Sequence, residues 1–241
     1  VPISSQYFDS DKNFFDTFFL KTNLLLTAVR PQGTTLKESD GYFNTIELHQ
    51  SNGDQHHYAK QVLLPFGEYI PFANELPWLS DIFGYSPNYL PGSTTADIPL
   101  PLGDKKINLI PLICYEAVFG DLVHQAAELG GEVIINTSND AWFEALAGKN
   151  THFALSLFRA VEFRKPLIRV TNNGLTRIIS PNGKLVEGSS LSANIATMHQ
   201  ATVELIDETS FYQKHPDFFR YFLLSFITIA LAIKWWRSQN T

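Results

Sequence analysis

The chain has 241 residues, 44% of them hydrophobic and 17% charged, and a net charge of −6. This length is enough for one large domain or two small ones, the apolar content excludes general disorder, and the acidic balance argues against a nucleic-acid surface. The lone cysteine, Cys114, excludes an internal disulfide.

The chain opens on Val1 without a charged and apolar leader, which reads as a start inside a longer product. From Asp9 onward the spacing of Phe14, Phe15, Phe18 and Phe19 predicts a helix, with Asp9 or Ser10 as its cap. Residues 24–29 then read as a strand. Residues 41–50 alternate Tyr42, Asn44, Ile46 and Leu48, a period-two strand. The turn Ser51-Asn52-Gly53-Asp54 leads into a partner strand over 55–64. Residues 65–106 are rich in proline and glycine and predict a long irregular loop with short helices, of the kind that serves a site or a partner. Residues 107–113 form a continuous apolar run, expected of a strand covered on both faces.

A helix is predicted over 121–129, closed by Gly130-Gly131, followed by a buried strand over 132–136. Another helix over 151–164 stops before Pro166. Strands follow at 166–171 and 176–180, then a tight turn through Pro181-Asn182-Gly183-Lys184 and a last short strand at 201–205. The order implies layered α and β structure with helices outside. The chain has neither a glycine-rich phosphate loop nor a metal-ligand spacing, so no cofactor and no metal are expected.

Residues 221–233 carry no charge, and Phe218, Phe219, Trp235 and Trp236 extend the apolar stretch. Residues 218–236 are long enough to span a bilayer if Arg220 and Lys234 snorkel, and the tryptophans suit an interfacial belt. A buried or interfacial helix is the alternative. Lys234 and Arg237 after the span, against Asp207, Glu208 and Asp217 before it, put the tail in the cytoplasm and residues 1–215 across the membrane.

Cys114 ends the apolar run and is followed by Tyr115-Glu116, as a nucleophile does where a strand turns toward a helix. A buried, inert thiol is the plainer alternative. Lys60 lies in an apolar strand, costly unless paired or functional, and Glu68 sits in a proline-framed loop. The backbone N–H of Tyr115 can face a developing oxyanion. The polar run Asn136-Thr137-Ser138-Asn139-Asp140 reads as capping or pocket lining, and Trp142 and Phe143 as core or as cover for an acyl chain. A Cys–His pair, with His124 or His152, is the competing arrangement.

Four stretches occur in order: Lys60 through Pro71, Cys114-Tyr115-Glu116, Asn136 to Phe143, and Thr171-Asn172-Asn173-Gly174. Together they resemble the nitrilase (carbon–nitrogen hydrolase) superfamily, and within it the bacterial apolipoprotein N-acyltransferases. The resemblance implies an α-β-β-α sandwich over residues 1–215, followed by a transmembrane helix at 218–236. It implies a Glu–Lys–Cys triad in which Cys114 attacks a phospholipid ester and holds the acyl chain as a thioester. Lys60 would favour the thiolate and, with the Tyr115 N–H, bind the oxyanion. Glu68 and Glu116 would orient the lysine and shape the site, and Phe66, Trp142 and Asn139 would contact substrate. The acceptor would be the N-terminal amine of a diacylglyceryl-cysteine lipoprotein, with the catalytic domain on the periplasmic side of the bacterial inner membrane. The family's base glutamate, its first strand or strands and its bundle of membrane helices would all lie upstream of Val1, so the chain alone is expected to be inactive. A soluble amidase and a non-catalytic remnant are the rival readings.

Overall fold

The computed structural model describes residues 3–4, 22–33, 41–83, 88–93, 98–143, 145–195, 197 and 199–239. The helix expected from Asp9 lies outside them. Two sheets pack face to face. The first has strands in the order β1 (Ile3–Ser4), β2 (Leu24–Pro31), β3 (Tyr42–His49) and β4 (Gln55–Ala59). β1 runs parallel to β2, and β2, β3 and β4 are antiparallel. The β3–β4 turn works because Gly53 takes φ 93°, open to glycine without a Cβ penalty.

The second sheet runs β5 (Ile98–Leu102), β6 (Lys105–Ile113), β7 (Val133–Ser138), β8 (Leu167–Thr171) and β9 (Arg177–Ile179). β6, β7 and β8 are parallel, joined by crossover helices α2 (Gly120–Glu128) and α3 (Leu146–Phe163). A short helix α1 (Trp78–Phe83) precedes them, and α4 (Phe211–Lys214) and α5 (Phe218–Gln239) follow.

The period-two alternation of β6 and β7 divides the interior into two cores. Leu109, Ile113, Val133 and Ile135 face the first sheet and meet Ile46, Leu48 and Tyr58. Ile110, Leu112 and Ile134 face the helices and meet Val123, Ala126, Ala160 and Phe163. All six residues of β7 are buried, in line with the buried strand expected over 132–136.

Three expectations are corrected. The partner strand over 55–64 ends at Ala59, because a buried carboxylate on Glu116, not β3, takes the N–H groups of Gln61 and Val62. The end of the proline-rich loop is β5, an edge strand. Pro99 and Pro101 alternate along it, so an edge position spares the ladder the donors they lack. Residues 201–205 run without ladder partners, so the alternation there reflects half-burial, not pairing. The turn at Pro181–Lys184 holds, closed by a single bridge between Ile179 and Leu185.

α5 is exposed throughout its length and is the one helix among the described residues long and apolar enough to cross a membrane. Just before it, α4 packs on α3: the Tyr212 ring stands edge-on to Phe163, 5.5 Å between centroids. Phe163 is fully buried between α2, the sheet and α4. Phe163→Ala is expected to lower stability by about 3–5 kcal/mol, read from chemical denaturation.

Candidate functional site

β6 carries Ile113 into the inter-sheet core, and the chain then turns abruptly. Cys114 has φ 52°, left-handed for a residue with a side chain, and opens a 3-10 turn over Cys114–Val118. The turn sets the thiol at the carboxyl end of a parallel strand, where open α/β sheets bind ligands. Neighbours hold the strained backbone. The Asn136 amide donates to the carbonyls of Leu112 (3.2 Å) and Cys114 (3.4 Å). Arg159 Nη1 donates to the Val118 carbonyl at 2.8 Å.

Lys60 stands just past β4, its own N–H still bonded to the Asn44 carbonyl at 2.8 Å. Its side chain is 1% exposed, and Nζ meets Glu68 Oε2 at 2.6 Å. The same Glu68 oxygen accepts from the Leu64 N–H at 2.8 Å, and Oε1 accepts from the Asn44 amide at 2.7 Å. Lys60 is thus paired, which meets the cost of its burial, and Glu68 is fixed by three donors.

Glu116 is wholly buried. Its Oε1 accepts from the Tyr58 hydroxyl (2.8 Å) and from the N–H groups of Gln61 (2.6 Å) and Val62 (3.1 Å), and its Oε2 from the Ile113 N–H (2.8 Å). Burial pushes its carboxyl above the ordinary range despite these four donors. Burial and this carboxylate together push the Tyr58 phenol far up as well.

A cavity of about 460 Å³ opens between the sheets. Leu25, Leu26 and Asn44 line it from the first sheet, Ile113, Cys114 and Thr137 from the second, and Glu68, Tyr89, Asn139 and Trp142 from the connecting segments. Cys114, Glu68, Asn139 and Trp142 share one cavity; Lys60 does not line it and is joined to it through its pair with Glu68. Phe66 is not in the cavity lining: at φ 62° it is 56% exposed, its ring 4.8 Å from that of Phe83. The Tyr115 ring turns to Phe119, 5.0 Å away, so only its backbone is available to the site. Glu116 braces the cavity without lining it.

None of the residues lining the cavity is a histidine. His124 lies on α2 with its ring toward Phe163. His152 belongs to a buried cluster on the helix side of the second sheet. There Asp140 accepts from Ser138 (2.6 Å) and Arg169 (3.0 Å) and meets His152 Nδ1 at 3.1 Å. Arg169 also bonds the Asn136 carbonyl oxygen, whose amide nitrogen holds the Cys114 elbow. Gly174 is required beside this cluster, since a Cβ there would stand 2.0 Å from Asp140 Oδ2. Among the described residues no group of three His, Cys, Asp or Glu side chains could hold a metal.

Thr137 belongs to the polar run read as capping or pocket lining, whereas Arg169, Asn44 and Tyr89 are not site candidates in the sequence. Arg169 left a signal, a charge inside the apolar strand Leu167–Thr171. Tyr89 left none, because only the fold brings its loop beside Glu68.

The cluster yields a stability prediction. Burial raises the Asp140 carboxyl, but His152, Arg169 and Ser138 outweigh it and bring it down to about 2. A carboxyl lowered on folding contributes stability that is complete above its unfolded value and lost as pH falls through about 2. Arg169→Met leaves that carboxylate buried without its guanidinium partner, held only by Ser138 and His152, with an expected loss of about 3 kcal/mol. In Asp140→Asn/Arg169→Met the loss is expected to be smaller than the sum of the single losses, and the acid limb of the denaturation profile should flatten.

A carbon–nitrogen hydrolase family model matches residues 30–209. The apolipoprotein N-acyltransferase of Geobacter metallireducens is 30% identical over 212 residues, covering 86% of this chain and 40% of that protein. The Rickettsia prowazekii protein of the same name is 37% identical over 151 residues, 63% of this chain and 29% of that one. The chain thus spans well under half of these curated relatives. Among solved structures, a carbon–nitrogen hydrolase from Helicobacter pylori G27 superimposes with a TM-score of 0.54 at 17% identity, over 75% of this chain and 62% of that one. A nitrilase-superfamily amidase from Nesterenkonia AN1 gives 0.50 at 19%, over 71% and 58%. With a sandwich of two sheets, a cysteine elbow and a buried lysine–glutamate pair already in place, the chain belongs to the carbon–nitrogen hydrolase family.

Proposed function

We propose that the chain carries the acyl-transfer site of an apolipoprotein N-acyltransferase. The observation that carries this reading is Cys114 held on a strained elbow in a cavity that is also lined by Glu68, the carboxylate paired with the buried Lys60. The thiolate of Cys114 attacks the carbonyl carbon of a phospholipid ester. The tetrahedral oxyanion is bound by the Lys60 ammonium and the Tyr115 N–H. Collapse expels the glycerol oxygen, which takes a proton and leaves as a lysophospholipid, and the acyl chain remains as a thioester. The N-terminal amine of a diacylglyceryl-cysteine lipoprotein then attacks the thioester carbon. The C–S bond breaks, the amine loses a proton, and the free thiol returns. The resemblance assigns the proton transfers to a further glutamate that none of the motifs matched in this chain contains.

Glu68 serves as the positioning residue for Lys60. Its three donors fix the carboxylate, and the carboxylate fixes the ammonium. Asn139 and Trp142 at the cavity contact substrate; Trp142 is 69% exposed, an indole free to lie along an acyl chain. In this reading residues 1–215 form the catalytic domain and 218–236 the membrane span, with the domain on the periplasmic side of a bacterial inner membrane. The bare apolar surface of α5 and the Trp235-Trp236 pair at its end support the span.

Two experiments test the reading. Incubation of the complete gene product with phospholipid, followed by intact-mass measurement, is expected to show an acyl adduct on the native protein and none on Cys114→Ala. Lys60→Met should slow adduct formation by roughly 10²–10³-fold. An adduct persisting in Cys114→Ala overturns the assignment, and transfer to water in preference to an amine makes the protein an amidase-type hydrolase. In the complete gene product with every cysteine other than Cys114 replaced by serine, a membrane-impermeant maleimide should label Cys114 in spheroplasts but not in sealed inside-out vesicles. The opposite pattern reverses the proposed orientation.

A further inference from the structure

Thr137 holds a place that neither the fold nor the reaction outlined above uses. On β7, Val133 and Ile135 face the first sheet, and Thr137 continues that face, one step beyond the last apolar pair. There the sheets part to form the cavity, and Thr137 lines it. Its partner across the parallel ladder is Ile113, the residue before the nucleophile. Neighbouring strands in a sheet lie about 4.8 Å apart, so Thr137 flanks the Cys114 elbow directly.

Its hydroxyl is out of place as a structural group. Thr137 is 7% exposed, and its Oγ1 has no hydrogen-bond partner. The polar side chains around it are engaged: Asn136 with Arg169 and the elbow carbonyls, Ser138 with Asp140, Thr171 with Thr176. A valine would fill the same volume on this half-apolar wall and leave no oxygen unpaired. Removing a buried hydroxyl that bonds nothing is neutral or stabilising for the fold. The oxygen is therefore surplus to folding and is sealed from solvent on a residue that lines the cavity, within one side-chain rotation of it.

We propose that Thr137 is a substrate-binding residue of the acyl-transfer site, its hydroxyl donating a hydrogen bond to the carbonyl oxygen of the acyl group attached at Cys114. This rests on the acyltransferase reading. The assignment follows from position. The acyl carbonyl is bonded to the Cys114 sulfur in both halves of the reaction, whereas the donor head group and the acceptor peptide are each present in only one. A hydroxyl beside the elbow meets the part that is always there. It would bind the carbonyl oxygen from the second sheet while Lys60 approaches from the first.

The test compares Thr137→Val and Thr137→Ser in the complete membrane protein. Acylation of Cys114 by phospholipid is followed by intact mass. Transfer from preloaded enzyme to a diacylglyceryl-cysteine peptide is followed separately. In Thr137→Val both steps are expected to slow by roughly 10²-fold, with a melting temperature equal to or above the native value. Thr137→Ser, which keeps the donor, should restore both rates to within about threefold. Native rates in Thr137→Val overturn the proposal. Slowing of acylation alone overturns it too, because the contact is then with the phospholipid's glycerol. Loss of activity with a lowered melting temperature and no rescue by serine makes the residue structural and likewise sinks it. The native protein run alongside separates the levels: absence of any Cys114 adduct there removes the acyltransferase reading and this proposal together, whereas a native adduct with an indifferent valine variant removes only the role of Thr137.

Discussion

One buried carboxylate ties the halves of the site together. Tyr58 lies on β4 of the first sheet, Gln61 and Val62 just past its end, and Ile113 at the end of β6 in the second. Glu116 accepts from all four. Lys60 lies between two of these residues in sequence, and Cys114 follows the fourth. The relative position of ammonium and sulfur is therefore set by four hydrogen bonds to one side chain. The cost is a charge sealed from water, visible in the raised carboxyl of Glu116. Hydrogen bonds to charged groups are stronger than neutral ones, and leaving such donors empty in the core is expensive. The same side chain ends β4, by taking N–H groups that would otherwise extend the β3–β4 ladder, so the geometry of the site and the length of the strand have one cause.

On the other face of the second sheet a different polar cluster has the complementary task. Asp140, Arg169 and Asn136 form a chain that finishes on the carbonyl of Cys114. The alternation of β7 sends Asn136 and Ser138 to this side and Thr137 to the cavity. A single strand end thus supplies support below the elbow and a wall beside it. The arrangement explains why a thiol in a left-handed conformation is stable there: its backbone is held from the strand before it, from the neighbouring strand and, through Arg159, from helix α3.

The sequence disclosed the parts of this design that depend on local pattern. The continuous apolar run before Cys114 and the helix-closing Gly130-Gly131 specified the parallel strands and the first crossover, and the structure moves their ends by only a few residues. The Asn-Gly turn specified the β3–β4 hairpin. What depends on long-range contact was out of reach. β5 was hidden because proline marks a loop unless the strand is known to lie on an edge. Phe66 was placed near substrate by its motif, but its backbone conformation turns the ring onto Phe83. His152 sits near Cys114 in a list of candidates and across the sheet from the cavity in space. Which face of a strand a residue takes is a matter of register, and one step separates Asn136 from Thr137.

The route from the site to the apolar helix passes through packed structure, not through a free linker. Arg159 of α3 binds the Val118 carbonyl at the end of the elbow turn and pairs with Glu162 at 2.8 Å. Ser210, the cap of α4, donates to the Glu162 carbonyl, and Tyr212 packs on Phe163. A Cβ on Gly120 would stand 3.2 Å from both the Arg159 guanidinium and the Tyr212 hydroxyl, so the chain after the elbow touches α3 and α4 at once. α5 begins four residues after α4. If α5 lies in a bilayer, these contacts fix the distance and tilt at which the cavity meets the lipid surface. Under the acyl-transfer reading proposed above, an acyl chain drawn from that surface would enter past the exposed Trp142 and Val170 of the cavity lining. The packing of α4 on α3 then becomes part of substrate access, although no residue of α4 lines the cavity.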